Sequence, residues 1–297
     1  MAGGVSYLYQ ILIGGIHNGM VYALLAYSYV LLFQVVPKPN LAHGPLFAFS
    51  GQLLVMGTNL AYNALIFTFA SSMAFGLGVS ALLSAIVLTL FSAIIVPRLV
   101  HRSPNAMIVV TLAIAIILME GVHIGADGRD SWLPPLTSRA VELGLGARVS
   151  LVQVFNVLAM VFMLVASEWV LMRTSAGRVI RAVAQEPVAA ALLGSNVPRV
   201  ISLTAAASGI LAMAGGVLTL IHFGNMSFGA GLTYGIKVLF IAAAGGFSTP
   251  RAAALAAFAF GETEALWDGY LPILWREAFL YGVLALLLVL NGKEARR

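Results

Sequence analysis

LYQILIGGIHNGMVYALLAYSYVLLFQVV, Leu8 to Val36, decides the fold, because 29 residues pass without one Asp, Glu, Lys or Arg. A hydrocarbon core of about 30 Å is crossed by about 20 apolar residues of helix, so this run is long enough to span a bilayer. No basic segment precedes it, it lacks a small-residue cleavage site, and it exceeds the apolar part of a signal peptide; it reads as a retained first span.

Working outward, the same reading finds further runs at Leu41–Gly57, Ile66–Val96, Ala106–Ile124, Leu151–Met172, Ile201–Phe223, Leu232–Gly246, Ala252–Trp267 and Leu274–Leu290. The second, seventh and eighth are short. Such segments are expected to be re-entrant or broken helices lining a cavity, since irregular backbone at membrane depth survives only where protein or water satisfies it. Of the 297 residues 61% are hydrophobic and 9% charged, against about 25% charged in soluble domains. No polar stretch is long enough to fold apart. The expected fold class is therefore all-α, a polytopic transmembrane helical bundle with some short or broken spans, and 1–297 reads as a single transmembrane domain.

The net charge of +5 sits in short loops, where it orients a membrane protein rather than binding nucleic acid. If the runs alternate, Lys38, Arg98, Arg102, Arg173, Arg178, Arg181, Arg199, Arg251, Lys293, Arg296 and Arg297 share one face. Arg129, Arg139, Arg148 and Arg276 fall on the other, beside Asp127, Asp130, Glu142, Asp268 and Glu277. The positive-inside rule then predicts an amino terminus outside and a carboxyl terminus in the cytoplasm. The loop from Gly125 to Ser150 is the longest outer segment and is expected to pack across that mouth.

The 173–199 loop interrupts the greasy pattern. Pro187 stands at a helix start, where its missing N–H costs nothing, and Gly194 stands where a left-handed cap is needed. Glu186 precedes the helix as a cap and complements its dipole. A helix from Pro187 to Leu193 is too short to persist alone in water, so it must pack on something. Arg178, Arg181 and Gln185 make a polar stripe just upstream. Two readings stay open on physics alone: an interfacial connector meeting headgroups, or a helix offered to a partner.

TSAGRVIRAVAQEPVAAALLGSNVPRVISLT, Thr174 to Thr204, resembles the cytoplasmic loop of LivH-type permeases, the membrane subunits of branched-chain amino acid ABC importers. GMVYALLAYSYVL from Gly19 is similar to the family's first span, and NLAHGPLFAFSGQ from Asn40 to its Asn-Phe-Ala-His-Gly signature, with Leu41 replacing Phe. GIKVLFIAAAGGFSTPRAA from Gly235 and FGETEALWDGYLP from Phe260 resemble two later segments in the right order. The turn after Ala244 departs from the family's glycine-richer pattern. The resemblance implies a coupling helix in the 173–199 loop that rests on an ATPase subunit, carried here by Arg181, Glu186, Pro187, Ala190 and Gly194. It implies a second, LivM-like permease subunit, two ATP-binding subunits, and a soluble binding protein that delivers a small-molecule substrate to a bacterial inner membrane. Branched-chain amino acids are the first expectation; urea, amides and small organic acids are handled by similar permeases.

Polar groups inside the runs need reasons, since a charge at a span centre costs about 2.5–3.5 kcal/mol on insertion scales. Lys237 could snorkel to the interface, pair with Glu262 or Glu264 on the next span, or meet substrate. His43 follows a turn between Asn40, a possible helix cap, and Gly44, which permits close helix approach. Asn40, His43, Gly44, Lys237 and Glu262 are the translocation-path candidates. Glu120 and His123 stand at i,i+3, which suits a local hydrogen bond; two ligands make no metal site. His222 and Asn225 are placed to line an entrance. With no GxxxxGK[ST] loop and no cysteine, neither ATP hydrolysis nor thiol chemistry is expected of this chain. No catalytic residue, metal or cofactor is assigned. A secondary transporter would need acids at the midplane, and an embedded enzyme a convergent nucleophile or acid/base pair.

Overall fold

The computed structural model describes residues 2–129, 132–136, 139–142, 147–245, 247 and 249–291. Its elements are α1 (Ala2–Val35), α2 (His43–Asn63), α3 (Phe69–Thr89), a π segment Leu90–Ile95, α4 (Val96–Leu99), α5 (Pro104–Gly125), strands β1 (Ala140–Glu142) and β2 (Arg148–Ser150), α6 (Leu151–Arg173), α7 (Ser175–Gln185), α8 (Pro187–Leu192), α9 (Val197–Phe223), α10 (Ala230–Ala244), α11 (Pro250–Tyr270), a 3-10 turn Ile273–Trp275 and α12 (Arg276–Asn291). Five described helical stretches are long and apolar enough to cross a membrane: Ser6–Val35, Phe69–Leu99, Pro104–Gly125, Leu151–Arg173 and Val197–Phe223. α10 is apolar but has only 15 residues.

The helices start where the chain supplies an oxygen for a free N–H. Ser103, Ser150, Thr174, Asn196 and Thr249 each accept from the amide three residues on. Pro104, Pro187 and Pro250 follow their caps at the first helical position. Thr249–Pro250 thus starts α11 two residues before the expected Ala252.

α1 is apolar on all sides and lies at the centre, with Leu24, Ala26 and Val30 wholly buried. α11 runs antiparallel to it, the Tyr7 hydroxyl donating to the Gly269 carbonyl at 2.8 Å. Gly19 and Gly261 let the two backbones touch, for a Cβ on Gly261 would overlap Gly19. α2 and α9 cross at Gly51 and Gly216 in the same manner. α6 turns Phe155, Phe162 and Trp169 outward, as expected of a lipid-facing helix.

α2 corrects the expected Leu41–Gly57. The helix continues to Asn63, with Thr58 buried and its hydroxyl satisfied by the Leu54 carbonyl at 2.7 Å. Gly57 is a packing point against Gly76, not a stop. α3 likewise runs past the expected Val96 through its π segment to Leu99.

Connections gather at two ends. At one end Lys38 donates to the carbonyls of Leu99, Val100 and Arg102, and Phe33 stacks on Phe247 at 3.9 Å. At the other, Leu133 N–H donates to the Gly224 carbonyl and Gln52 Nε2 to the Ser227 carbonyl. β1 and β2 pair antiparallel here, Val141 opposite Val149, a hairpin that the sequence reading left as loop. Gln10 of α1 clamps its edge, donating to the Arg148 carbonyl at 3.0 Å and accepting from Arg148 N–H at 2.8 Å. Asp130, Gly246, Ser248, Lys293, Arg296 and Arg297, all used in the sequence reading, lie outside the described residues.

Candidate functional site

The chain does not run straight from α1 into α2. Asn40 N–H donates to the Tyr29 hydroxyl at 3.2 Å, although Tyr29 precedes the end of α1 by six residues, or roughly 9 Å of helix. The connector therefore folds back into the bundle, and α2 begins at depth. Its polar groups are met by protein: Leu41 N–H donates to Thr111 Oγ1 at 3.1 Å, and Asn40 Oδ1 accepts from Ala42 N–H at 3.0 Å. Asn40 thus shapes the turn; the α2 N-cap position is Ala42. The Asn40 Nδ2 group is buried without a partner among the described residues.

His43 opens α2 and is buried, its Nε2 2.9 Å from the Ser28 hydroxyl. The Ser208 hydroxyl donates to the Ser28 carbonyl at 2.7 Å. Ser28 and Ser208 thereby join α1, α2 and α9 in one polar line across an apolar core. Sequence reading missed both, since a serine flanked by Tyr or Ala carries no periodic signal. Gly44 presses its backbone on Gly231 and Gly235 of α10, where a Cβ would overlap both.

A second polar centre joins α10, α11 and α12. Lys237 Nζ lies 2.8 Å from Glu264 Oε1 and 3.0 Å from Glu277 Oε1, with the Tyr22 hydroxyl at 3.4 Å. Arg276 extends it, 3.5 Å from Glu264, 3.1 Å from Glu277 and 2.9 Å from Asp268. Lys237 is buried in this cluster, so the expected choice between snorkelling and pairing resolves to pairing, with Glu264. Glu262 is not its partner and lies instead against Gly15 of α1, both carboxylate oxygens without a described hydrogen bond. Glu277 and Arg276, which the sequence places on the outer face at the start of the last run, stand in the first turn of α12, where they reach Lys237 and Glu264.

Other polar groups stay local. His123 Nδ1 meets Glu120 at 3.4 Å on an exposed face. His222 stacks on the buried His17 of α1, ring centroids 3.9 Å apart. No group of three or more potential metal ligands occurs among the described residues.

The third place is the helix pair α7 and α8. The Arg181 guanidinium donates to the Leu171 carbonyl and holds α7 against the end of α6, while Gly177 lets the backbones meet there. α8 ends in a doubly bonded glycine cap. Ser195 N–H donates to the Ala190 carbonyl and Gly194 N–H to the Ala191 carbonyl, both at 3.0 Å, with Gly194 at φ 88. Glu186 occupies the N-cap position, but its side chain makes no capping bond. Ala190 faces inward, buried with Val183 and Ile201. The outward face is apolar: Val188, Leu192 and Leu193 are 66%, 85% and 87% exposed.

A bundle of long apolar helices that buries Lys237 with Glu264 and carries a capped helix pair at one end defines a multi-pass membrane protein. The family profile described as "Branched-chain amino acid transport system / permease component" matches residues 11–289, and the chain belongs to that family. It is 25% identical to the high-affinity branched-chain amino acid transport system permease protein BraD of Pseudomonas aeruginosa, over 95% of this chain and 93% of that protein. It is 24% identical to the corresponding LivH proteins of Salmonella typhimurium and Escherichia coli, over the same shares of each. No solved structure matches it significantly.

Proposed function

We propose that this chain, acting over 1–297 as one unit, forms half of the translocation path of a binding-protein-dependent ABC importer for branched-chain amino acids. The other half comes from a second, related permease chain. Two ATP-binding subunits work from the cytoplasm, a soluble binding protein delivers substrate from outside, and the complex sits in a bacterial inner membrane. The amino terminus lies outside and the carboxyl terminus inside, because the end that carries α7 and α8 also carries Lys38, Arg102, Arg173, Arg178 and Arg251.

The observation that carries this reading is α8. A six-residue helix is too short to be stable alone, yet here it is capped at its far end, anchored through Ala190, and presents Val188, Leu192 and Leu193 unpaired to the surroundings. Such a peg suits the cleft of a moving partner. Arg181 and Gly177 make the linkage to α6 rigid, so that displacement of α8 is passed to the spans. Asn40, His43 and Gly44 lie at the inward start of α2, where a small shift of α10 against Gly44 would reach the Ser28–Ser208 line. Glu262 and the Lys237 cluster lie on α11 and α10, the helices packed against α1.

Two measurements test it. Cysteines at Ala189, Val188 or Leu192 should crosslink to an ATP-binding subunit, and the reading is lost if they reach lipid alone. Leucine uptake into vesicles holding the full set of subunits should require ATP and the binding protein. Uptake that follows a sodium or proton gradient, with no ATPase co-purifying, would mark a secondary transporter instead.

A further inference from the structure

A groove of about 500 Å³ runs between α1, α6 and α11 near the Lys38 end of the bundle. Its deeper walls are apolar: Leu164 and Val165 from α6 face Ala254 and Leu255 from α11. From Leu164 to Arg173 it follows α6 for ten residues, roughly 13.5 Å of helix. Arg173 and Arg251 stand at its mouth. Arg173 is exposed and makes no hydrogen bond or ion pair among the described residues. Arg251 is 65% exposed and held only loosely, its Nε 3.9 Å from Glu168 Oε1. It also stands in the first turn of α11, whose free N–H groups add positive potential. Trp169, 61% exposed, lines the same groove four residues before the end of α6, as suits an indole at a span end.

Glu168 is the opposing charge. One carboxylate five residues from the basic helix end at Arg173 carries no signal of its own in the sequence. In the structure it is mostly buried, and its Oε2 accepts from the Tyr27 hydroxyl at 3.2 Å. Two arginines against one carboxylate leave the mouth positive.

We infer that this groove binds an anionic glycerophospholipid, with the phosphate between Arg173 and Arg251 and an acyl chain along Leu164, Val165 and Leu255. Both halves of the ligand are matched at once: two cations line the groove at the end of a candidate span, next to its apolar walls. The charge balance selects an anionic over a zwitterionic headgroup, because each basic residue near the surface favours an anionic lipid about fivefold. The inference does not depend on the transported solute, and transport can fail without affecting it.

The test uses Trp169 as the reporter. The other three tryptophans, Trp132, Trp267 and Trp275, belong to the opposite end and are replaced by Phe. The full chain is reconstituted in phosphatidylcholine vesicles containing either acyl-brominated phosphatidylglycerol or acyl-brominated phosphatidylcholine, with helix content checked by circular dichroism. Brominated phosphatidylglycerol should quench Trp169 at several-fold lower mole fraction than the choline lipid. Arg173→Gln and Arg251→Gln should each reduce that preference by up to about fivefold, and Glu168→Gln should increase it. Should either arginine variant fail to fold, the Glu168→Gln increase and a loss of preference at high salt carry the test. Equal quenching by the two lipids, or arginine variants that keep the preference, would overturn the assignment. So would weak quenching by both, which would mean a second copy of this chain covers the groove, or relief of quenching by millimolar inorganic phosphate, which would mean a free anion binds there.

Discussion

Lys237 shows what one residue commits the chain to. A buried ammonium is tolerable only with partners, and its two carboxylates come from different helices, Glu264 on α11 and Glu277 at the start of α12. Removing one member of a buried pair leaves an uncompensated charge and costs about 3–5 kcal/mol. Lys237→Met is therefore expected to lower the thermal midpoint of the purified protein clearly, while Lys237→Met combined with Glu264→Gln recovers most of the loss. A double variant no more stable than the single one would remove the pair from this account. The need for a partner was legible in the sequence, but its identity was not. Glu262 and Glu264 stand two positions apart and so project about 200° apart around one helix, and only packing decides which of them meets Lys237. Ser28 and Ser208 were hidden for a similar reason, being separated by 180 residues and joined only through the crossing of α1 and α9.

Among the elements, α8 and the α2–α9 crossing are the most constrained. Gly194 lies at φ 88 in the cap of α8, a conformation that costs an L-residue about 1–2 kcal/mol and a β-branched one more. Gly194→Val is expected to leave membrane insertion intact and to reduce ATP-driven uptake severalfold, measured as leucine accumulation at equal expression; unchanged transport would detach the cap from coupling. At the crossing, a Cβ on Gly216 would overlap the Phe47 carbonyl and approach Ser50 Oγ. Gly216→Val should therefore destabilise the bundle by about 1–3 kcal/mol or more, read as a lower melting temperature in detergent. Element positions were mostly legible, because apolar length, Ser/Thr caps and Pro at the first helical position are local signals. The end of α2 was not, since Gly57 reads as a stop and only its packing on Gly76 of α3 shows it to be a helix contact. The β1–β2 hairpin was not either: each strand has three residues, too few to show alternation, and Gln10 completes the edge from far along the chain.

For the whole molecule the decisive quantity is which end faces the cytoplasm. The chain has no cysteine, so single cysteines report cleanly. Val188→Cys at one end should react with a membrane-impermeant maleimide only after the membrane is opened from inside, and Leu136→Cys at the other should react on intact cells. The reverse pattern would invert the topology and with it the coupling role of α8. Hydropathy and loop charge by themselves determined a helical membrane bundle, its approximate spans, the placement of basic residues at one end and the short helix begun by Pro187 and stopped by Gly194. These follow from the energy of transferring single residues and from backbone preferences, both local. Tertiary structure alone decided that α2 begins inside the bundle, that Lys237 takes Glu264, that Ala190 turns inward while Val188 and Leu192 turn out, and that Arg173, Arg251 and Glu168 share one groove. Each of these depends on how helices rotate and cross, which is set by contacts between residues far apart in the chain.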